Sequence, residues 1–202
     1  MYLTPQTYTI NHYPPHWGQI LTPSSRARRP SPLRLWAGDN EAFTKRFQWP
    51  RFYTWLKAFT PYKNECLFIT VPDVVCDPIA TREQFDHYSP IIRELGYPVA
   101  FVAQDGQEQM TWPEFDALFI GGSTEWKLST ATDQCIQYAI SKRKWVHIGR
   151  VNSQRRIKHF QVIGANSVDG TTICYAPDKK FKVLNRQLLQ KPLFTMKWRN
   201  NV

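Results

Sequence analysis

The chain has 202 residues, 42% of them hydrophobic and 21% charged, with a mean hydropathy of −0.47. This is ordinary globular usage with chain enough for a sizeable core. It speaks against disordered, fibrous and membrane classes, since no apolar run approaches the ~18–20 residues of a bilayer span. The 26 Lys and Arg against 16 Asp and Glu leave a formal charge of +10, which favours a polyanion, because each phosphate neutralised releases a counterion.

Met1–Pro23 lacks a basic start followed by an apolar stretch, so no signal peptide is expected. Gly18–Thr22 reads as an early strand. Ser24–Pro32 follows, with Arg26, Arg28, Arg29 and two prolines, and reads as an exposed basic loop. Short apolar runs then recur at Arg34–Ala37, Cys66–Val71, Pro98–Ala103, Ala117–Ile120 and Trp145–Ile148, with Asn166–Val168 as a later member. Runs that do not alternate suit strands buried on both faces, as in a parallel sheet.

Helical spacing fills the intervals. Phe43–Phe59 is rich in aromatics and interrupted at Pro50. Thr81–Leu95 stops at Gly96 and is expected to bend or break at Pro90. Lys127–Ile140 follows the Gly121–Gly122 pair. Asn152–Ile163 has Asn152 as its N-cap candidate and Gly164 as its stop, and Asp178–Gln190 follows Pro177. Alternating strands and helices imply one α/β domain, either an open doubly wound sheet or a (β/α) barrel. An eight-unit barrel normally takes ~250 residues, so a barrel here is minimal or incomplete. The eighth strand is either Leu193–Met196 or a segment around Tyr8.

Function collects at the carboxyl ends of strands in both architectures. The residues just after the apolar runs are Gly38-Asp39-Asn40, Pro72-Asp73, Gln104-Asp105-Gly106, Gly121-Gly122-Ser123, Gly149-Arg150 and Asp169-Gly170. Carboxylates, an amide and a glycine pair therefore converge on one rim. Asp77 before Pro78 is helix-start chemistry. Dinucleotide, P-loop and nucleophile-elbow motifs are absent, and His147, inside an apolar run, reads as a packed core histidine. The four cysteines, 66, 76, 135 and 174, form no Cys-x-x-Cys and pair with no histidine motif; a reducing, cytoplasmic setting suits them, with Cys66 in the core. What remains is carboxylate chemistry on a substrate such as a heterocycle.

The segments WAGDNEAF, VPDVV, FVAQDG, FIGGS and HIGRVNSQRRIKHFQVIGANSVDGT, between about Trp36 and Thr171, resemble in order and spacing the active-site segments of the tRNA-guanine transglycosylase superfamily. The resemblance implies a (β/α)8 barrel that exchanges guanine for a 7-deazaguanine base, such as 7-cyano-7-deazaguanine, within a polynucleotide. Small size and the wording DNEAF look more like the phage and bacterial relatives linked to 7-deazaguanine in DNA, with tRNA the alternative polymer.

The roles implied position by position are these. Asp169 is the nucleophile, and Asp39 handles protons or holds the departing base. Phe43 stacks on the base and Ile148 covers its other face. Asp73 reads the guanine edge, Gln104 donates to the base carbonyl, and Gly122, with Gly121 beside it, offers a backbone N–H there. Arg150, Arg155, Arg156 and Lys158, with Arg26, Arg28 and Arg29, are candidates for phosphate contacts. Only Cys174 follows Asp169, so the family's zinc site is not expected, nor is any cofactor. A base-releasing hydrolase and a catalytically silent nucleic-acid-binding barrel or subunit are the competing readings.

Overall fold

The computed structural model describes residues 1–5, 10–27, 29–175 and 177–189. Eight parallel strands close into a barrel in chain order: β1 (Tyr2–Pro5), β2 (Trp17–Leu21), β3 (Trp36–Gly38), β4 (Cys66–Thr70), β5 (Val99–Ala103), β6 (Ala117–Ile120), β7 (Trp145–Ile148) and β8 (Ser167–Asp169). The closing seam pairs Tyr2 with Val168 and Leu3 with Asp169. The fold is therefore α/β and TIM-barrel-like, and the open doubly wound alternative is set aside. The strand that the sequence leaves unplaced is β1, Tyr2–Pro5. Both segments proposed for it, around Tyr8 and at Leu193–Met196, lie outside the described residues.

Period-two alternation sorts each buried run between two cores. In β5, Val99, Phe101 and Ala103 face the helices, while Ala100 and Val102 face the barrel axis. The axis is filled by Leu3, Ile20, Ala37, Phe68, Ala100, Val102, Ala117 and Phe119, small against large, as a narrow barrel requires. This double burial is why the runs read as unbroken apolar stretches.

Helices follow five of the strands: α1 (Trp49–Phe59), α2 (Pro78–Glu94), α3 (Thr124–Lys127) with α4 (Thr130–Ser141), α5 (Gln154–Ile163), and α6 (Thr172–Tyr175) with α7 (Pro177–Leu189). Among the described residues β1 and β5 are followed only by short 3-10 turns, and β2 by no helix. α7 returns over β2 and the turn before it instead. Phe181 stacks on Tyr13 with centroids 4.6 Å apart, and Asn185 Oδ1 bonds the His16 ring (2.9 Å) and the Trp17 indole N–H (3.1 Å).

Four helix expectations change. Pro50 starts α1 instead of interrupting a longer helix, because its missing N–H is harmless in the first turn. Pro90 sits inside an unbroken α2, on its exposed side, where the ring does not disturb the packed face. The 127–140 segment starts late, since Ser123 caps α3 and Ser129 caps α4. Likewise Ser153, not Asn152, caps α5, while Asn152 Oδ1 accepts from the Thr171 N–H at 3.0 Å. Asp77 caps α2, accepting from Ala80 N–H at 2.9 Å. No helix among the described residues is long and apolar enough to cross a membrane.

Candidate active site at the carboxyl rim

A cavity of about 950 Å³ opens at the carboxyl ends of the strands. Asp39, Phe43, Asp73, Gln104, Gly121, Gly122, Arg150, Asp169 and Arg26 all line it, and Ile20, Val102 and Phe119 continue it into the barrel's inner core. Three carboxylates from three separate strand ends therefore share one hollow. The apolar axis below and the polar rim above suit a ligand with flat apolar faces and a polar edge.

Asp73 is held by amides on both sides. Asn40 Nδ2 donates to its Oδ1 and Gln104 Nε2 to its Oδ2, each at 2.8 Å. Burial nevertheless pushes its carboxyl up to about 6, against these two bonds and the charge of Arg150. Asn40 is itself locked. Its Nδ2 also donates to the Val71 carbonyl, its Oδ1 accepts from Ala42 N–H, and its own N–H donates to Thr70 Oγ1. An amide between two carboxylates, Asp39 one residue before and Asp73 across the turn, is thus a strut for the site. The sequence places Asn40 at the rim and gives it no role, because its partners Val71 and Asp73 lie more than thirty residues away.

Asp39 accepts from Glu41 N–H at 2.7 Å. Burial pushes its carboxyl up to about 7, against that bond and with the charges of Asp169, Asp73 and Glu41 adding to the rise. It therefore exchanges a proton near neutrality, as an acid–base group must. Glu41, also on the lining, is buried and paired with Arg51 at 3.6 Å, and it accepts from Ser24 N–H at 3.3 Å. The basic loop is tied to the rim through that contact.

Asp169 ends β8. Its Oδ1 accepts from Arg150 N–H at 2.5 Å, and its Oδ2 lies 3.4 Å from His147 Nε2. Tyr2 donates to the Gly170 carbonyl at 2.9 Å, and burial first, then the charge of Asp169, holds its phenol above the ordinary range.

Phe43 lies in a short turn, Ala42–Thr44, between two left-handed residues, Glu41 (φ 66°) and Lys45 (φ 57°). It is 57% exposed, and the guanidinium of Arg150 lies 4.0 Å from the ring centroid. Arg150 is left-handed too (φ 60°), as is Cys76 (φ 62°), whose N–H donates to Gln104 Oε1 at 3.0 Å. Each such non-glycine residue costs on the order of 1–3 kcal/mol, and strain of this kind gathers where a site needs a fixed shape.

Three expected roles shift. Ile148 is fully buried in the layer between strands and helices and is not on the cavity. Alternation along β7 turns it outward and turns His147 inward, so Phe119 and Val102 supply the apolar wall instead. The N–H groups of Gly121 and Gly122 are already used. Gly121 donates to the Ala103 carbonyl at 2.9 Å and Gly122 to Gln104 Oε1 at 3.0 Å. Gln104 therefore has its second Nε2 hydrogen left for a ligand. Gly122 is required where it stands: at φ 58°, an added Cβ would meet Trp126 at 2.5 Å and Asp105 at 2.6 Å. Asp105 fixes the same turn by accepting from the N–H (2.7 Å) and hydroxyl (2.5 Å) of Ser123.

Among the basic candidates, Arg26 and Arg150 reach the cavity. Arg29, Arg155 and Lys158 are exposed and Arg156 is half-buried, the last three on α5. Arg28 lies outside the described residues. Lys127, not anticipated, is buried and donates to the Gly149 carbonyl at 2.7 Å. Burial first, then the charge of Arg150, lowers its ammonium to about 7.

Among the described residues no group of three His, Cys, Asp or Glu side chains is arranged to hold a metal ion. No family model matches the chain, and no curated protein matches it.

Proposed function

We propose that this protein exchanges guanine in DNA for a 7-deazaguanine base through a covalent aspartyl-glycosyl intermediate. The observation that carries the reading is the meeting of Asp39, Asp73 and Asp169 around one cavity of nucleotide size, with an exposed aromatic and two arginines on the same lining. In the first half-reaction a carboxylate oxygen of Asp169 forms a bond to C1′ while the C1′–N9 bond breaks, and the electron pair leaves with guanine. Asp39, titrating near neutrality, gives that leaving base a proton and later takes one from the incoming heterocycle. The second half-reaction reverses the bonds, and the new base displaces the carboxylate.

Recognition of the base falls to Asp73 and Gln104. The free lone pairs of Asp73 suit the N1–H and exocyclic amine of guanine, and the unused Nε2 hydrogen of Gln104 suits its carbonyl. Reaching C1′ requires the nucleotide to leave the stack, at roughly a few kcal/mol. Stacking on Phe43 and phosphate contacts from Arg26, Arg150 and the cations of α5 offset that cost.

The test is incubation of the protein with DNA carrying labelled guanine and with 7-cyano-7-deazaguanine, beside an identical assay on tRNA. Guanine is released from DNA only when the deazaguanine is present, and Asp169→Ala releases none. Full release by that variant overturns the nucleophile. Release without an incoming base points to hydrolysis, and release from tRNA alone changes the polymer.

A further inference from the structure

His147 is fully buried and absent from the cavity lining, yet it is the side chain that touches Asp169 from within the barrel. Its ring lies between Phe68 (centroids 5.3 Å apart) and Phe119 (4.7 Å), both tilted against it. A chain of polar contacts runs up the inner faces of β7 and β8: Trp145 Nε1 to Ser167 Oγ at 2.9 Å, Ser167 Oγ to His147 Nδ1 at 2.8 Å, and His147 Nε2 to Asp169 Oδ2 at 3.4 Å. The register pairs His147 with Ser167, so adjacent strands hold the whole series.

Its direction follows from donor inventory. An indole N–H only donates, so Ser167 Oγ accepts from Trp145; an ionised carboxylate only accepts, so the Asp169 contact calls for a proton on His147 Nε2, and the bare Nδ1 then accepts the Ser167 hydroxyl hydrogen. That leaves the ring proton on Nε2, facing a carboxylate oxygen that accepts it. From this geometry we infer that His147 is a positioning residue for Asp169, holding the carboxylate in one rotamer with a lone pair turned to the cavity. Arg150 N–H on Oδ1 fixes the other oxygen, so Asp169 is gripped from both sides. His147 moves no proton in the reaction and touches no substrate. It acts through the orientation of the attacking oxygen, where a misplacement of about 1 Å can cost on the order of 10²-fold in rate.

This inference rests on Asp169 being the nucleophile, and two measurements separate the two ideas. The first needs no activity: long-range ¹H–¹⁵N NMR of the labelled protein reads the imidazole tautomer of His147. The Nε2–H form is expected, and it converts or exchanges faster in Ser167→Ala. An Nδ1–H form in the intact protein overturns the positioning hydrogen bond to Asp169, whether or not base exchange occurs.

The second is kinetic. His147→Phe, which fills the same space between Phe68 and Phe119, lowers kcat for base exchange about tenfold, with KM for DNA within about twofold. His147→Gln, which returns an N–H near the Nε2 position, recovers most of the loss. Equal loss in both variants, each with an unchanged fold by circular dichroism, overturns a positioning role. Wild-type kcat in His147→Phe does the same.

Discussion

The guanidinium of Arg150 covers a face of the Phe43 ring at 4.0 Å and donates to the Gly122 carbonyl at 2.5 Å, so one side chain joins the β3, β6 and β7 loops across the mouth of the cavity. A base that stacks on Phe43 competes with this cation or is sandwiched opposite it. Phe43→Ala is expected to raise KM for the incoming deazaguanine about tenfold, because stacking on an aromatic is worth roughly 1–3 kcal/mol per base. Arg150→Ala is expected to leave that KM within about threefold and to weaken DNA binding. A filter-binding assay beside initial-rate kinetics reads both. Equal effects of the two variants on base KM would refute this division of labour.

The pH dependence of stability follows from two half-buried carboxylates at the rim. Asp39 is pushed up to about 7 and Asp73 to about 6, in both cases chiefly by burial. Between about pH 4 and those values the native state binds more protons than the unfolded chain, so stability falls as pH rises through this window. Asp39→Asn keeps an oxygen for Glu41 N–H and removes the charge. Its Tm is expected to exceed the wild type's by on the order of 5 °C at pH 8, and to match it at pH 4. The same variant should lose the inflection near pH 7 in kcat/KM. Melting curves that coincide at every pH would contradict the raised carboxyl.

Asn40 ties the rim together through four hydrogen bonds, two of them from Nδ2. Asn40→Asp is the informative change, since it preserves shape while replacing a donor by a second carboxylate against Asp73. Base KM is expected to rise at least tenfold at pH 8 and to recover partly toward pH 5.5, where one proton can be shared. Asn40→Ala should instead destabilise the protein by about 2–3 kcal/mol, because the Val71 carbonyl and Asp73 lose their partner. Urea titration distinguishes the two.

Much of the rim is legible in the sequence. Strand ends carry Asp39, Asp73, Gln104, Arg150 and Asp169, because a closed parallel barrel sends every strand's next residue to one rim. β1 is not legible: Tyr2–Pro5 is four residues long with no turn signal before it, and only pairing to β2 and β8 makes it a strand. Ile148 is misplaced by position-by-position matching because that matching ignores alternation, which puts 145 and 147 on the inner face of β7. The same rule brings His147 to Asp169. The glycine N–H groups go to a ligand in the sequence reading because nothing in one dimension reveals that Gln104 and Ala103 already accept from them.

The cations of α5 offer a test in which stability and function move in opposite directions. Arg155 and Arg156 stand in the first turn of the helix, which contains no acidic residue, and positive charge at that end opposes the helix dipole by about 0.3–1 kcal/mol each. A purely structural surface would gain by losing them. Arg155→Gln/Arg156→Gln is therefore expected to raise Tm slightly, or leave it unchanged, while weakening DNA binding at 0.1 M salt by about tenfold. Each phosphate left unneutralised flattens the plot of log K against log salt by about 0.9 for duplex DNA and 0.7 for single strands, so the double variant should flatten it by roughly 1.4–1.8. The cavity is untouched, and kcat at saturating DNA should be unchanged. A salt slope equal to the wild type's would remove Arg155 and Arg156 from the nucleic-acid surface and leave Lys158, Arg26 and Arg150 as its candidate contacts.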